Sequence, residues 1–126
     1  MHIDQITSRN GLLTIVQIAL GVALFSLAYH LLGEPVRWMQ MTSFFFYANG
    51  ALILISLVLS GAGTEGTFYF KVYHFVALVL YIGIPVWSIV NNDAKSNDKG
   101  KYWGTVALSF LAAFIHGTHG VFNLRS

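Results

Sequence analysis

The chain has 126 residues, of which 56% are hydrophobic, 15% aromatic and only 10% charged, whereas an ordinary soluble domain carries about 25% charged residues. Its formal charge of +2, from seven Lys and Arg against five Asp and Glu, is too small and too scattered for a nucleic-acid footprint, so no nucleic-acid partner is expected. The absence of cysteine excludes disulfides, thiolate metal sites, cysteine nucleophiles and palmitoylation, and no Asn is followed two positions on by Ser or Thr, so no N-glycan is expected.

Taken in order, Met1 to Asn10 is polar with a single Arg9, a poor leader for a cleaved signal peptide. The apolar run 11–32 that follows is read as a first membrane span, retained in the mature protein, since roughly 20 apolar residues cross a bilayer. The segment GEPVRWMQ, Gly33 to Gln40, reads as a short charged loop in which Pro35 breaks the helix. A second span is expected over 41–60, a tight turn over GAGTEG from Gly61, a third span over 67–90, a polar loop from Asn91 to Lys101, and a fourth span over 102–122. The whole chain, 1–126, is thus one four-span membrane domain with both termini on one face. Trp38, Trp87 and Trp103 all fall at the opposite face, and Phe68, Tyr69, Phe70, Tyr73 and Phe122 at the terminal face, which suits aromatic residues at headgroup level. Basic residues divide almost evenly between the two faces, so charge does not orient the chain.

Polar and small residues recur at alternating steps of four and three, which places them on one line of each helix. In the third span the line is Thr67, Lys71, His74, Leu78, Tyr81, Pro85 and Ser88. In the first it is Asn10, Thr14, Gln17, Gly21, Leu24 and Ala28; in the second Thr42, Phe46, Asn49, Ile53, Ser56 and Ser60; in the fourth Ser109, Ala113, His116, Gly120 and Asn123. A helix apolar all round except for one such line is a membrane span whose line faces its neighbours. Four of them make an all-α, left-handed antiparallel four-helix bundle with polar atoms inside. Gln17, Asn49, His74, Tyr81 and His116 are the expected interhelical polar packing residues. Pro85 is expected to bend the third span.

His74 and His116 fall at similar depth on adjacent helices, with His119 one turn beyond; His30 lies at the far end of the first span, where it reaches headgroup water. Two facing imidazoles could hold a haem, and His74, His116 and His119 could share a ligand or metal; a proton relay with Lys71 and Glu65 is also conceivable. Against these stands the simpler reading, in which His74 bonds a neighbouring helix and His116 and His119 look toward the interface. No carboxylate lies within a span to complete a metal site, so no metal and no cofactor is expected. No phosphate loop, paired carboxylates or Ser, His and Asp constellation is present, and the loops are too short to build a pocket outside a bilayer, so no enzymatic activity is expected.

The segment YHFVALVLY, with Tyr73, His74, Ala77 and Tyr81, resembles the Tyr-His segment that opens the third span of MARVEL-domain proteins, the four-span family of MAL, the physins, occludin-like proteins and chemokine-like-factor relatives. SFLAAFIHGTHGVF from Ser109 resembles the closing helix of that family, and GLLTIVQIALGVALFSLAYH its Gly-rich opening helix. The chain departs from the pattern in having Lys71 where MAL-like members carry Asp, and His116 and His119 or Gly120 where the fourth span shows Tyr and Asp. The resemblance implies cytoplasmic termini, no catalytic residues, and a role in membrane apposition, sorting, vesicle traffic or junction assembly. The expected function is therefore a scaffold within a lipid bilayer, acting as a homo-oligomer or beside other integral membrane proteins. The alternative from another class is a haem- or quinone-binding accessory subunit of a redox complex using His74 and His116. A small channel is disfavoured by the scarcity of ionisable residues within the spans.

Overall fold

The computed structural model describes residues 9–60, 68–92, 95 and 97–124. These form four helices and no strand: α1 (Arg9–Tyr29), α2 (Glu34–Ser60), α3 (Phe68–Val90) and α4 (Lys99–Leu124). All four are long and apolar enough to cross a membrane. Even α1, with 21 residues, extends about 30 Å, the thickness of a bilayer's hydrocarbon core.

Where a span over 11–32 is expected, α1 runs Arg9–Tyr29, and two further helices start earlier than the sequence suggests for local reasons. The segment read as a charged loop, Gly33 to Gln40, belongs almost wholly to α2, which begins at Glu34 rather than Met41. Pro35 opens this helix instead of breaking it. In the first turn a missing N–H costs nothing, and the ring's fixed φ is already helical. Gly33, at φ 119°, takes a backbone conformation that side chains disfavour, and its carbonyl accepts the Arg37 N–H at 3.1 Å. Likewise α4 begins at Lys99 rather than Tyr102 because Asp98 caps it. The Asp98 carboxylate accepts the Lys101 N–H at 3.1 Å, and its carbonyl accepts that of Tyr102 at 2.8 Å. Asn92, at φ 60°, turns the chain away from the end of α3 in the left-handed conformation that Asn tolerates.

Contacts at each end show successive helices running antiparallel. At the end holding the α1–α2 link, Asn97 donates from Nδ2 to the Leu32 carbonyl at 2.7 Å and accepts the Leu32 N–H, so one side chain satisfies the open backbone left where α1 stops. Nearby the buried Ser88 and Tyr102 hydroxyls bond at 2.8 Å. Trp38, Trp87 and Trp103, all exposed, lie in the first turns of α2 and α4 and the last turn of α3, so they share this end. At the terminal end, of the five aromatic residues expected at headgroup level only Tyr73 has a described side chain. Tyr73 is buried and turned inward, and the side chains of Phe68, Tyr69, Phe70 and Phe122 lie outside the described residues.

The helices form a ring in which α1 packs on α2 and α4, and α3 packs on α4 and more sparsely on α2. Of the described glycines Gly21 has the least room: a Cβ there would stand 2.7 Å from Tyr47 Cβ and 3.3 Å from the Ser43 carbonyl oxygen, so α1 lies close against the backbone of α2. Along α1 the residues Thr14, Gln17, Gly21, Leu24 and Ala28 are all buried. In α2 the buried line is instead Met39, Ser43, Phe46, Gly50, Ile53 and Leu57. Thr42, Phe46 and Ile53 of the line of polar residues are buried as well, but Gly50 is buried in place of Asn49 and Leu57 in place of Ser56. The far half of the core is built on Leu31, Val36, Met39 and Val106 beside the buried Ser88, Tyr102 and Thr105 hydroxyls. The near half mixes Leu24, Phe46, Ala77 and Ala113 with polar side chains.

The outward surface of the helices is unusually apolar. Leu52, Phe75 and Phe114 are about two-thirds exposed at 64%, 65% and 68%, while Gln17, His74, Ser109, His116 and His119 are at most 5% exposed. This inverts the distribution of a water-soluble protein, in which such polar groups are mostly outside.

Candidate functional site: a buried histidine cluster

Three imidazoles meet where all four helices converge near the terminal end. His74 on α3 and His116 on α4 bring their Nδ1 atoms to 2.8 Å, a hydrogen bond in which one nitrogen donates and the other accepts. The His119 ring, one turn further along α4, lies 4.4 Å from that of His74 between centroids. From α1, the Gln17 amide Nε2 stands 2.9 Å from His119 Nδ1. An amide nitrogen can only donate, so His119 accepts at Nδ1 and carries its hydrogen on Nε2.

Aromatic rings box in this cluster. Tyr81 stacks on His116 at 5.6 Å and 22° between planes. Phe46 approaches the same ring at 5.6 Å, and Tyr73 contacts both His74 and His116 at 5.1 and 5.9 Å. The Tyr73 hydroxyl donates to the Phe46 carbonyl at 2.8 Å, tying α3 to α2. Gln17, Phe46, Tyr73, His74, Tyr81, His116 and His119 thus form one network to which every helix contributes.

The structure brings together His74 and His116, and with them His119, Gln17 and Tyr81. Asn49 does not join them. Its Nδ2 donates to the Phe45 carbonyl one turn back at 2.8 Å, it is half-buried, and it makes no bridge between helices through that amide. The reading of Asn49 as interhelical packing is therefore corrected: an amide that can reach its own helix's i−4 carbonyl needs no neighbour. His116 and His119 both depart from the simpler reading, since both are buried in the bundle and do not look toward the interface. Glu65, the expected end of a proton relay, lies outside the described residues. His30 is exposed, edge-on to Tyr29.

A second polar contact explains how α3 carries Pro85 through its full length. Proline offers no N–H to the carbonyl four residues earlier, here that of Tyr81. Ser109 on α4 supplies what is missing, its hydroxyl donating to Tyr81 O at 2.7 Å. Neighbouring Ser and Thr side chains are the usual remedy for a proline inside an apolar helix. Ser109→Ala should accordingly lower stability by about 1 to 2 kcal/mol, read as an earlier unfolding midpoint in denaturing detergent, whereas Thr118→Ala should change it little. Thr118 only bonds back to Phe114 O in its own helix.

The Nδ1 atoms of His74 and His116 are not placed to share a metal in this arrangement. A metal stands about 2.0 to 2.1 Å from each imidazole nitrogen it binds, and the two Nδ1 atoms here bond each other directly. Among the described residues no group of three His, Asp or Glu side chains is arranged to hold a metal ion.

No family model matches the chain, and neither a curated protein nor a solved structure does.

Proposed function

We propose that the chain is a multi-pass integral membrane protein, a left-handed four-span bundle with cytoplasmic termini, that acts without catalysis as an organiser of its membrane through association with itself or with a larger membrane partner. One observation carries the reading: the helices expose large apolar side chains all round and turn their polar groups onto one another inside. Such an exterior suits hydrocarbon, and it offers a partner within the bilayer a helix surface to meet. One such surface is the sparse seam between α2 and α3, where Trp38, Phe44, Phe45 and Val76 line a groove of about 900 Å3. The resemblance to MARVEL-domain proteins points the same way, toward apposition, sorting or junction assembly.

The absence of native cysteine makes a test direct. Single cysteines at Phe75, Phe114 and Phe45 should resist a water-soluble maleimide in sealed membranes although all three positions are exposed in the fold. The Phe45→Cys chain should also cross-link to a neighbouring chain under mild oxidation. Rapid labelling at Phe75 and Phe114 would rule out membrane insertion, and a Phe45→Cys chain that acquires no cross-linked neighbour in native membranes would count against the organiser role.

A redox accessory subunit that binds a quinone is the second reading, favoured by His74 and His116 lining a groove open to the outside. Solvent extraction of the purified protein checks it: a stoichiometric quinone supports this reading, and its absence removes it.

A further inference from the structure

A groove between α3 and α4 runs from the start of α3 down to the histidine cluster. It encloses about 310 Å3, with Phe75, Leu78 and Val121 along its sides and His74 and His116 at its floor. On the α4 side it is lined by Gly117 and Gly120, where an added Cβ would stand 3.3 Å from Leu78 and 3.2 Å from His74, so α3 and α4 approach each other closely there. Its lining is almost wholly apolar apart from one end. There Lys71, in the first turn of α3, is the single Lys, Arg, Asp or Glu side chain on it among the described residues.

This combination selects an occupant. A space this size is at the lower end of small-ligand sites, roughly 300 to 1,000 Å3, and admits a slender chain better than a helix, whose diameter with side chains is about 10 Å. From Lys71 to Leu78 is about 10 Å along the axis, so a cation stands at one end of an apolar trough of that length. Lysine near a helix end extends its ammonium toward the interface while its methylenes stay in the apolar layer. The N-terminal pole of α3 adds positive potential at the same end. An amphiphile with an anionic head and an apolar tail satisfies both ends at once.

The geometry points to this groove as a binding site for an anionic phospholipid, its phosphate at Lys71 and one acyl chain lying against Phe75, Leu78 and Val121. The inference rests on the membrane-embedded reading above. The bilayer supplies the ligand from the side, and the headgroup charge decides which lipid stays.

The test uses the full chain in phosphatidylcholine bilayers with trace spin-labelled phosphatidylserine or phosphatidylcholine, reading the motionally restricted fraction by electron paramagnetic resonance. Wild type should restrict the serine lipid in preference to the choline lipid. Lys71→Gln should reduce that preference about fivefold, as loss of one interfacial cation predicts, and Lys71→Arg should keep it. Val121→Trp changes an exposed position and fills the trough, so it should release the restricted lipid with Lys71 still in place. Equal restriction of both lipids by wild type, or a preference untouched by Lys71→Gln, overturns this site while leaving the membrane reading intact. No restricted lipid of either kind overturns both. A quinone recovered from the groove in place of phospholipid overturns the lipid assignment alone.

Discussion

Gly21→Leu is expected to destabilise the folded chain by about 3 kcal/mol, the upper end of what overpacking costs. The first added atom would lie 2.7 Å from Tyr47 Cβ and 3.3 Å from the Ser43 carbonyl oxygen. Neither can yield by rotating a flexible side chain, because both are fixed to the α2 backbone. The two helices must therefore separate, and the separation propagates to Gln17, one turn earlier on α1. Gly83→Ala is the matched control. A Cβ at Gly83 meets nothing within 4 Å, and alanine favours a helix interior over glycine by about 0.5 to 1 kcal/mol. Unfolding in mixed micelles with increasing denaturing detergent, followed by tryptophan fluorescence, should move the midpoint in opposite directions for the two variants. Similar midpoints for both would mean that α1 and α2 do not touch at Gly21.

Gly21 also illustrates how far spacing alone reaches. The α1 line is legible because its small and polar residues coincide with the positions that pack, so counting steps of four and three from Thr14 arrives at Gln17, Gly21, Leu24 and Ala28. In α2 the two criteria diverge. Gly50 and Asn49 are adjacent, and only one can face inward. Close packing takes the glycine, while the asparagine bonds its own helix. A polar residue is thus a weaker guide to the inner face than a small one when it can reach an i−4 carbonyl.

The histidine pair was legible through depth, since equal distances from one end on antiparallel helices bring His74 to His116. The bond between Gln17 and His119 was not, because it joins residues 102 positions apart on helices whose relative rotation no local pattern states. The same holds for Ser109 and Tyr81. Pro85 announces in the sequence that the Tyr81 carbonyl needs a donor, but only the packing of α4 on α3 shows that Ser109 supplies it. The early start of α2 was open to reading, with Gly33 and Glu34 beside Pro35, the pattern of a helix start as much as of a break. Asp98 three residues before Lys101 is likewise an N-cap signal.

The Gln17 bond yields the second large effect. Gln17→Leu should cost about 1 to 3 kcal/mol, because His119 Nδ1 loses its donor in a buried site where replacing one partner strands the other. His119→Phe should cost a similar amount by stranding the Gln17 amide. The double variant should be less damaged than the two losses added together, since removing both partners of a buried bond in favour of apolar side chains approaches neutrality. Coupling energies between polar groups on adjacent membrane helices average about 0.6 and reach about 1.7 kcal/mol, and a value in the upper part of that range is expected here, since both residues are at most 5% exposed. Strict additivity across the cycle would show that the two side chains do not bond. Asn49→Leu completes the comparison from the other side. Its amide serves only the Phe45 carbonyl of its own helix in a half-buried position, so the change should stay within about 0.5 kcal/mol of wild type. A polar side chain in these helices matters to the fold in proportion to whether its partner sits on another helix, and the contrast between Gln17 and Asn49 measures that difference within one chain.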